Sequence, residues 1–93
     1  MEKEVVLVKL SNGDVLIGYL EGKEEGTIVM SSVDQIVQTG VQFGFLTYMP
    51  YSTGLFVINL VGAVVATPSS EMLDEFTRSK SAIYTPPKSI ITG

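Results

Sequence analysis

Apolar and polar positions alternate at period two through most of this chain, and the period changes only near the end. Val5-Val6-Leu7-Val8-Lys9-Leu10 is β-branched and too short for a helix, with Val6, Val8 and Leu10 on one face. Asn12-Gly13 then supplies a hairpin turn, because both residues tolerate positive φ. Val15 to Glu21 reads as the returning strand. Its Leu16, Gly18 and Leu20 fall on one face, and Gly18 marks a bend or a close backbone approach. Gly22-Lys23-Glu24-Glu25-Gly26 reads as a charged turn, and Thr27 to Val37 as a long third strand that bends at Ser31-Ser32. Val41, Phe43 and Phe45 alternate as extended chain does, whereas Tyr48 to Gly54 looks like an exposed loop. Leu55 to Leu60 and Ala63 to Thr67 are two further strands hinged at Val61-Gly62, and Pro68 ends the second.

After Pro68 the spacing becomes helical. Ser69 or Ser70 can cap a helix with acids early and Arg78 and Lys80 late, and Met72, Leu73 and Phe76 form its apolar stripe. Thr85-Pro86-Pro87 ends any helix and starts an extended tail. The expected organisation is one domain over 1–93: five strands within about 4–67, a helix at about 70–79 and a tail at about 84–93. Short strands joined by tight turns, one bent at a glycine, imply an all-β, strongly curved antiparallel sheet or partly open barrel.

Composition narrows the function more than the fold. The 93 residues contain neither histidine nor cysteine, which excludes disulfides, thiol nucleophiles, histidine bases and thiolate–imidazole metal sites. Glu24 with Glu25 and Asp74 with Glu75 are adjacent acids, not pairs facing each other across a substrate, and Asp34 stands alone. No phosphate loop or nucleophile elbow appears, so no enzyme, no cofactor and no metal are expected. Six basic against ten acidic residues give a net charge of −4, an unfavourable sign for a polyanion partner. No leader is evident, and the apolar run from Leu55 to Ala66 is too short to cross a membrane, so a cytoplasmic location is expected.

The spaced residues Val6-x-Val8-x-Leu10-x-x-Gly13-x-x-Leu16-x-Gly18-x-Leu20-x-Gly22, continued by Thr27-Ile28-Val29-Met30, resemble the first conserved segment of the Sm and Sm-like proteins. Leu55 to Pro68 is a looser match to that family's closing strand pair. The resemblance implies an Sm-like (SH3-type) bent five-stranded antiparallel barrel. Its helix would follow the last strand, where the family usually places one before the first.

The resemblance also implies a ring of about five to seven like subunits, with RNA bound around the pore. Carried over by position, that RNA site falls on Lys23, Glu24, Thr27, Asn59 and Gly62. The departures are large. Glu24 stands where the family has aspartate, Thr27 where it has asparagine, Glu25 or Gly26 at the base-stacking position, and Val61 at the basic position before Gly62. Two carboxylates repel phosphate, so Lys23-Glu24-Glu25 reads better as a solvated turn than as a recognition loop. RNA binding is therefore expected to be weak and salt-sensitive, with a ring-forming scaffold for other proteins as the alternative.

Two further features bear on assembly. Tyr48, Tyr51, Phe43 and Phe45 could stack on bases, but with so few basic residues packing is the better reading. Asn59 is the one polar side chain within the twelve-residue apolar run, and burying it unpaired would cost about 1–3 kcal/mol, so it needs a partner. Leu55 to Leu60 is apolar on both alternating faces. This predicts a subunit interface at Leu55, Phe56, Val57, Ile58, Val64 and Val65, joining this strand to the last strand of the next copy.

Overall fold

The computed structural model describes residues 3–84. Six strands precede one helix: β1 (Val5–Lys9), β2 (Val15–Glu24), β3 (Thr27–Thr39), β4 (Gln42–Thr47), β5 (Leu55–Asn59), β6 (Val64–Ala66) and α1 (Ser70–Tyr84). All strand pairs are antiparallel. The sheet runs β4-β3-β2-β1-β6, and β5 pairs with β3 as well. β3 is long enough to serve two neighbours on one flank. Its first half, Thr27 to Ser31, takes β5, and its second half, Asp34 to Thr39, takes β4.

The bend that folds this sheet on itself sits where β2 and β3 cross. The register slips between Ile17 and Tyr19 on β2, and Ser32 on β3 takes φ 51°. Gly18 permits the crossing: a Cβ there would lie 2.9 Å from the Ser31 carbonyl oxygen and 3.0 Å from Val33 Cγ2. The concave face then closes over Val6, Val8, Leu16, Ile28, Met30, Val33 and Ile58, all buried. The period-two face read from β1 and β2 is this core.

Alternation sends Ile17 and Asp34 to the opposite, convex face, where they are direct partners in the β2–β3 ladder. α1 covers that face. Ser69 caps it, its Oγ accepting from the Met72 amide at 3.2 Å and its carbonyl from the Leu73 amide at 2.9 Å. Phe76, fully buried, meets Tyr19 edge-on at 5.5 Å and Phe45 at 6.0 Å between ring centres. One helical turn on, Lys80 Nζ bonds the buried Asp34 carboxylate at 3.0 Å.

Four expectations need correction. Among the described residues there are six strands, not five, because the extended stretch around Phe43 and Phe45 is a full strand on β3. β2 runs through Gly22, Lys23 and Glu24, paired with Val29, Ile28 and Thr27, so the turn is confined to Glu25-Gly26. A register shift between Leu20 and Gly22 lets the strand continue past its glycine. The helix reaches Tyr84, not 79, since nothing before Pro86 obliges it to stop. The expected tail thus begins later than position 84, and residues 85–93 lie outside the described residues.

Candidate functional site

The β2–β3 turn and the turn between β5 and β6 meet at one end of the curled sheet. The Leu60 amide donates to the Gly26 carbonyl at 2.9 Å, tying the two together. The second turn closes on itself through the Ala63 amide and the Leu60 carbonyl at 3.0 Å. Gly62 takes φ 73° in it, and a Cβ there would also stand 3.1 Å from the Ser11 side chain. No other residue fits that position without strain.

Glu24, Thr27 and Asn59 are cross-strand neighbours here, Glu24 opposite Thr27 on β2–β3 and Thr27 opposite Asn59 on β3–β5. They form one row across three strands, with Gly62 just beyond it. Lys23 does not join the row, because adjacent strand residues point to opposite faces. It pairs with Ile28 and borders a separate hollow of about 240 Å³ with Glu4, Leu20 and Val65. Asn59 is exposed, not buried, and its Oδ1 accepts from the Val61 amide at 2.8 Å. Its partner is therefore a backbone group of its own turn.

The row offers a carboxylate, a hydroxyl and an amide, with Glu25 and Val61 exposed beside it. That set can exchange hydrogen bonds with a polar ligand but provides no ring on which a base could stack. The aromatic residues are spent elsewhere. Phe45 packs under α1, Phe43 lies against Phe45 at 5.8 Å, and Tyr48 meets Phe56 at 5.3 Å against the core. Tyr51 is exposed in the loop after β4.

The six expected interface residues divide by strand alternation. Leu55 and Val57 face outward from β5 at 59% and 73% exposure, whereas Phe56 and Ile58 face the chain's own core. On β6, Val64 and Val65 are 61% and 43% exposed. Within one chain only the Phe56–Ile58 face of β5 is covered. Among the described residues, β5 pairs only with β3 and β6 only with β1, so each leaves one main-chain edge free. Exposed apolar side chains flank both edges.

Asp34 and Lys80 escaped the reading by sequence. The available signal was helical spacing: Met72, Phe76 and Lys80 recur every four residues, which places a lysine on the apolar stripe. Among the described residues no helix is long and apolar enough to cross a membrane. No family model matches the chain, and no curated protein matches it.

Proposed function

We propose that this chain is a subunit of a closed homomeric ring of the Sm-like kind, in which β5 of one copy pairs with β6 of the next. The supporting observation is the pair of strand edges, on β5 and β6, that are free among the described residues and bordered by exposed Leu55, Val57, Val64 and Val65. Unpaired edges of this kind invite pairing, and neither strand carries the charges that usually block it. The contact joins two different edges, so it is head-to-tail and must close into a ring or run on as a filament. The spaced apolar and glycine residues of β1 and β2 support the same reading by their resemblance to the family.

In such a ring the row of Glu24, Thr27 and Asn59, with Gly62 beyond it, borders the pore and makes any RNA contact. The carboxylates there and the net charge of −4 make that contact weak and salt-sensitive. The same acidity favours a second reading, a ring that organises proteins and leaves RNA alone.

Light scattering tests the assembly. A stable monomer of about 10 kDa at micromolar concentration refutes the ring. Val57→Lys, which places a charge on the exposed face of β5 and spares the core, should dissociate it, whereas Ile58→Lys would unfold the chain. Anisotropy with oligo-U and oligo-A then separates the two readings. Absence of binding even at low salt leaves the protein scaffold, and nanomolar binding in physiological salt contradicts the weak-contact prediction.

A further inference from the structure

Among the described residues β4 pairs with β3 alone, which leaves a further strand edge open beyond those of β5 and β6. The Tyr48 amide donates to the Val33 carbonyl at 2.9 Å, and this bond sets the phase of the β3–β4 ladder. Antiparallel partners alternate between bonded and non-bonded pairs, so Gln42, Gly44 and Leu46 bond to β3. Phe43, Phe45 and Thr47 turn their main-chain groups the other way, toward the open edge. β4 bears no charge, proline or bulge that would oppose a further strand. Phe43 is 43% exposed on the face that α1 covers, and Leu46, of opposite parity, is 57% exposed on the other.

We propose that this edge pairs with the same edge of a second copy, antiparallel about a two-fold axis at Phe45. That register sets Phe43 opposite Thr47 of the other copy and Phe45 opposite its own counterpart. All three outward residues then exchange bonds, about six in all. On the face away from the helix the register sets Leu46 opposite Gly44 of the other copy. A Cβ at Gly44 would meet nothing within 4 Å, so the leucine has room to lie over bare backbone there. One short strand supplies both halves of the fit, as a two-fold contact requires. The contact uses neither β5 nor β6 and stands independently of the ring.

The order of charge along α1 favours a second copy of this chain as the occupant. Met72 shares a hollow with Phe43, Phe76 packs on Phe45, and Lys80 shares a hollow with Thr47. The helix therefore runs beside β4 and in the same direction. Phe76 also reaches Tyr19 on β2, and Lys80 bonds Asp34 on β3, which sets α1 over β3. Pairing the two β4 edges makes the helices antiparallel, three strand spacings or about 14 Å apart. Asp74 and Glu75 precede Phe76 and Arg78 follows it, so Arg78 of each copy stands level with these acids of the other. Phe43, Phe45, Glu75 and Arg78 border a hollow of about 680 Å³ beside the edge, and the two-fold sets that hollow against its own copy. The net charge of −4 drives copies apart elsewhere, but here acid meets base.

The full chain carrying Val57→Lys, a change within the ring contact and outside this one, tests the pairing. Light scattering at high micromolar concentration should give about twice the 10.0 kDa of one chain. Dilution by about a hundredfold should speed exchange at the Phe43, Phe45 and Thr47 amides by about tenfold or more. Adding Thr47→Pro removes an outward amide that the chain itself does not use, so it should halve the mass and leave β1 and β2 exchange unchanged. Arg78→Glu should also halve the mass, and Arg78→Lys should not. If Val57→Lys leaves a larger assembly, the ring contact lies elsewhere, and Thr47→Pro should still halve the mass. A parent with the mass of one chain overturns the proposal, as does a mass that Thr47→Pro leaves unchanged. So does β4 exchange that ignores dilution, which would assign the edge to the chain's own residues.

Discussion

Adding a methyl group at Gly18 should destabilise this fold, and adding the same group at Gly22 should not. Both glycines lie in β2 and neither needs positive φ, so alanine is conformationally acceptable at each. At Gly18 the new Cβ would meet the Ser31 carbonyl oxygen at 2.9 Å, Val33 Cγ2 at 3.0 Å and Met30 Cε at 3.2 Å. At Gly22 it would meet nothing within 4 Å. The methionine methyl can swing aside, but the carbonyl belongs to backbone at the bend and cannot. Overpacking of this kind costs about 1–3 kcal/mol. Both substitutions also restrict the unfolded chain, a gain of about 0.4–1 kcal/mol common to the two. Their difference therefore isolates the clash. Gly22→Ala should be neutral or slightly stabilised, with Gly18→Ala about 1–3 kcal/mol below it. At roughly 1 kcal/mol per molar urea for a chain this small, the unfolding midpoints should separate by about 1–3 M when measured at one protein concentration. A Gly18→Ala midpoint at or above that of Gly22→Ala would refute the close crossing of β2 and β3.

Two further predictions concern charged contacts. Asp34→Asn should cost about 3 kcal/mol, the low end for a broken buried pair because Lys80, 18% exposed, can turn partly toward water. Asp34→Leu/Lys80→Met should recover most of that loss, and urea unfolding of the single and double variants checks both. The Lys3 ammonium, and then the Ser31 hydroxyl, hold the Glu21 carboxyl below its ordinary pKa. A depressed carboxyl stabilises the fold fully above its unfolded value and loses that contribution as pH falls through the folded one. Wild type should therefore exceed Glu21→Gln in stability at pH 7 and converge with it in acid; a gap that stays constant with pH would refute the assignment.

The sequence disclosed local geometry better than the contacts between elements. The Asn12-Gly13 turn and the Ser69 cap each depend on a few consecutive residues and were legible. A glycine in mid-strand signalled the close approach at Gly18 without naming Ser31 and Val33 as what it meets. Lys23 and Glu24 were misassigned to a turn because polarity alone cannot separate a solvated strand end from a loop. Their strand character comes from pairing with Ile28 and Thr27. Asn59 looked buried because its neighbours are apolar, yet β5 is an edge strand and every second residue of it meets solvent. At the candidate site, the family resemblance assigned Lys23, Glu24, Thr27 and Asn59 together; strand pairing sets the last three in one row, and alternation sends Lys23 to the other face. The Asp34–Lys80 bond was out of reach because it depends on where α1 docks, a property of two distant segments together.

The pairing of β6 with β1 has a consequence for how the chain reaches this fold. Lys9 meets Val64 and Leu7 meets Ala66 across nearly the whole strand-forming part of the sequence, and only three residue pairs hold that seam. The β2–β3 and β3–β4 hairpins join neighbouring segments and carry a small loop-closure penalty, so they can form early. The β1–β6 seam must wait until most of the chain is collapsed. Folding should therefore be governed by a hairpin nucleus around Gly18, with the terminal seam forming after the transition state and opening first when the protein breathes.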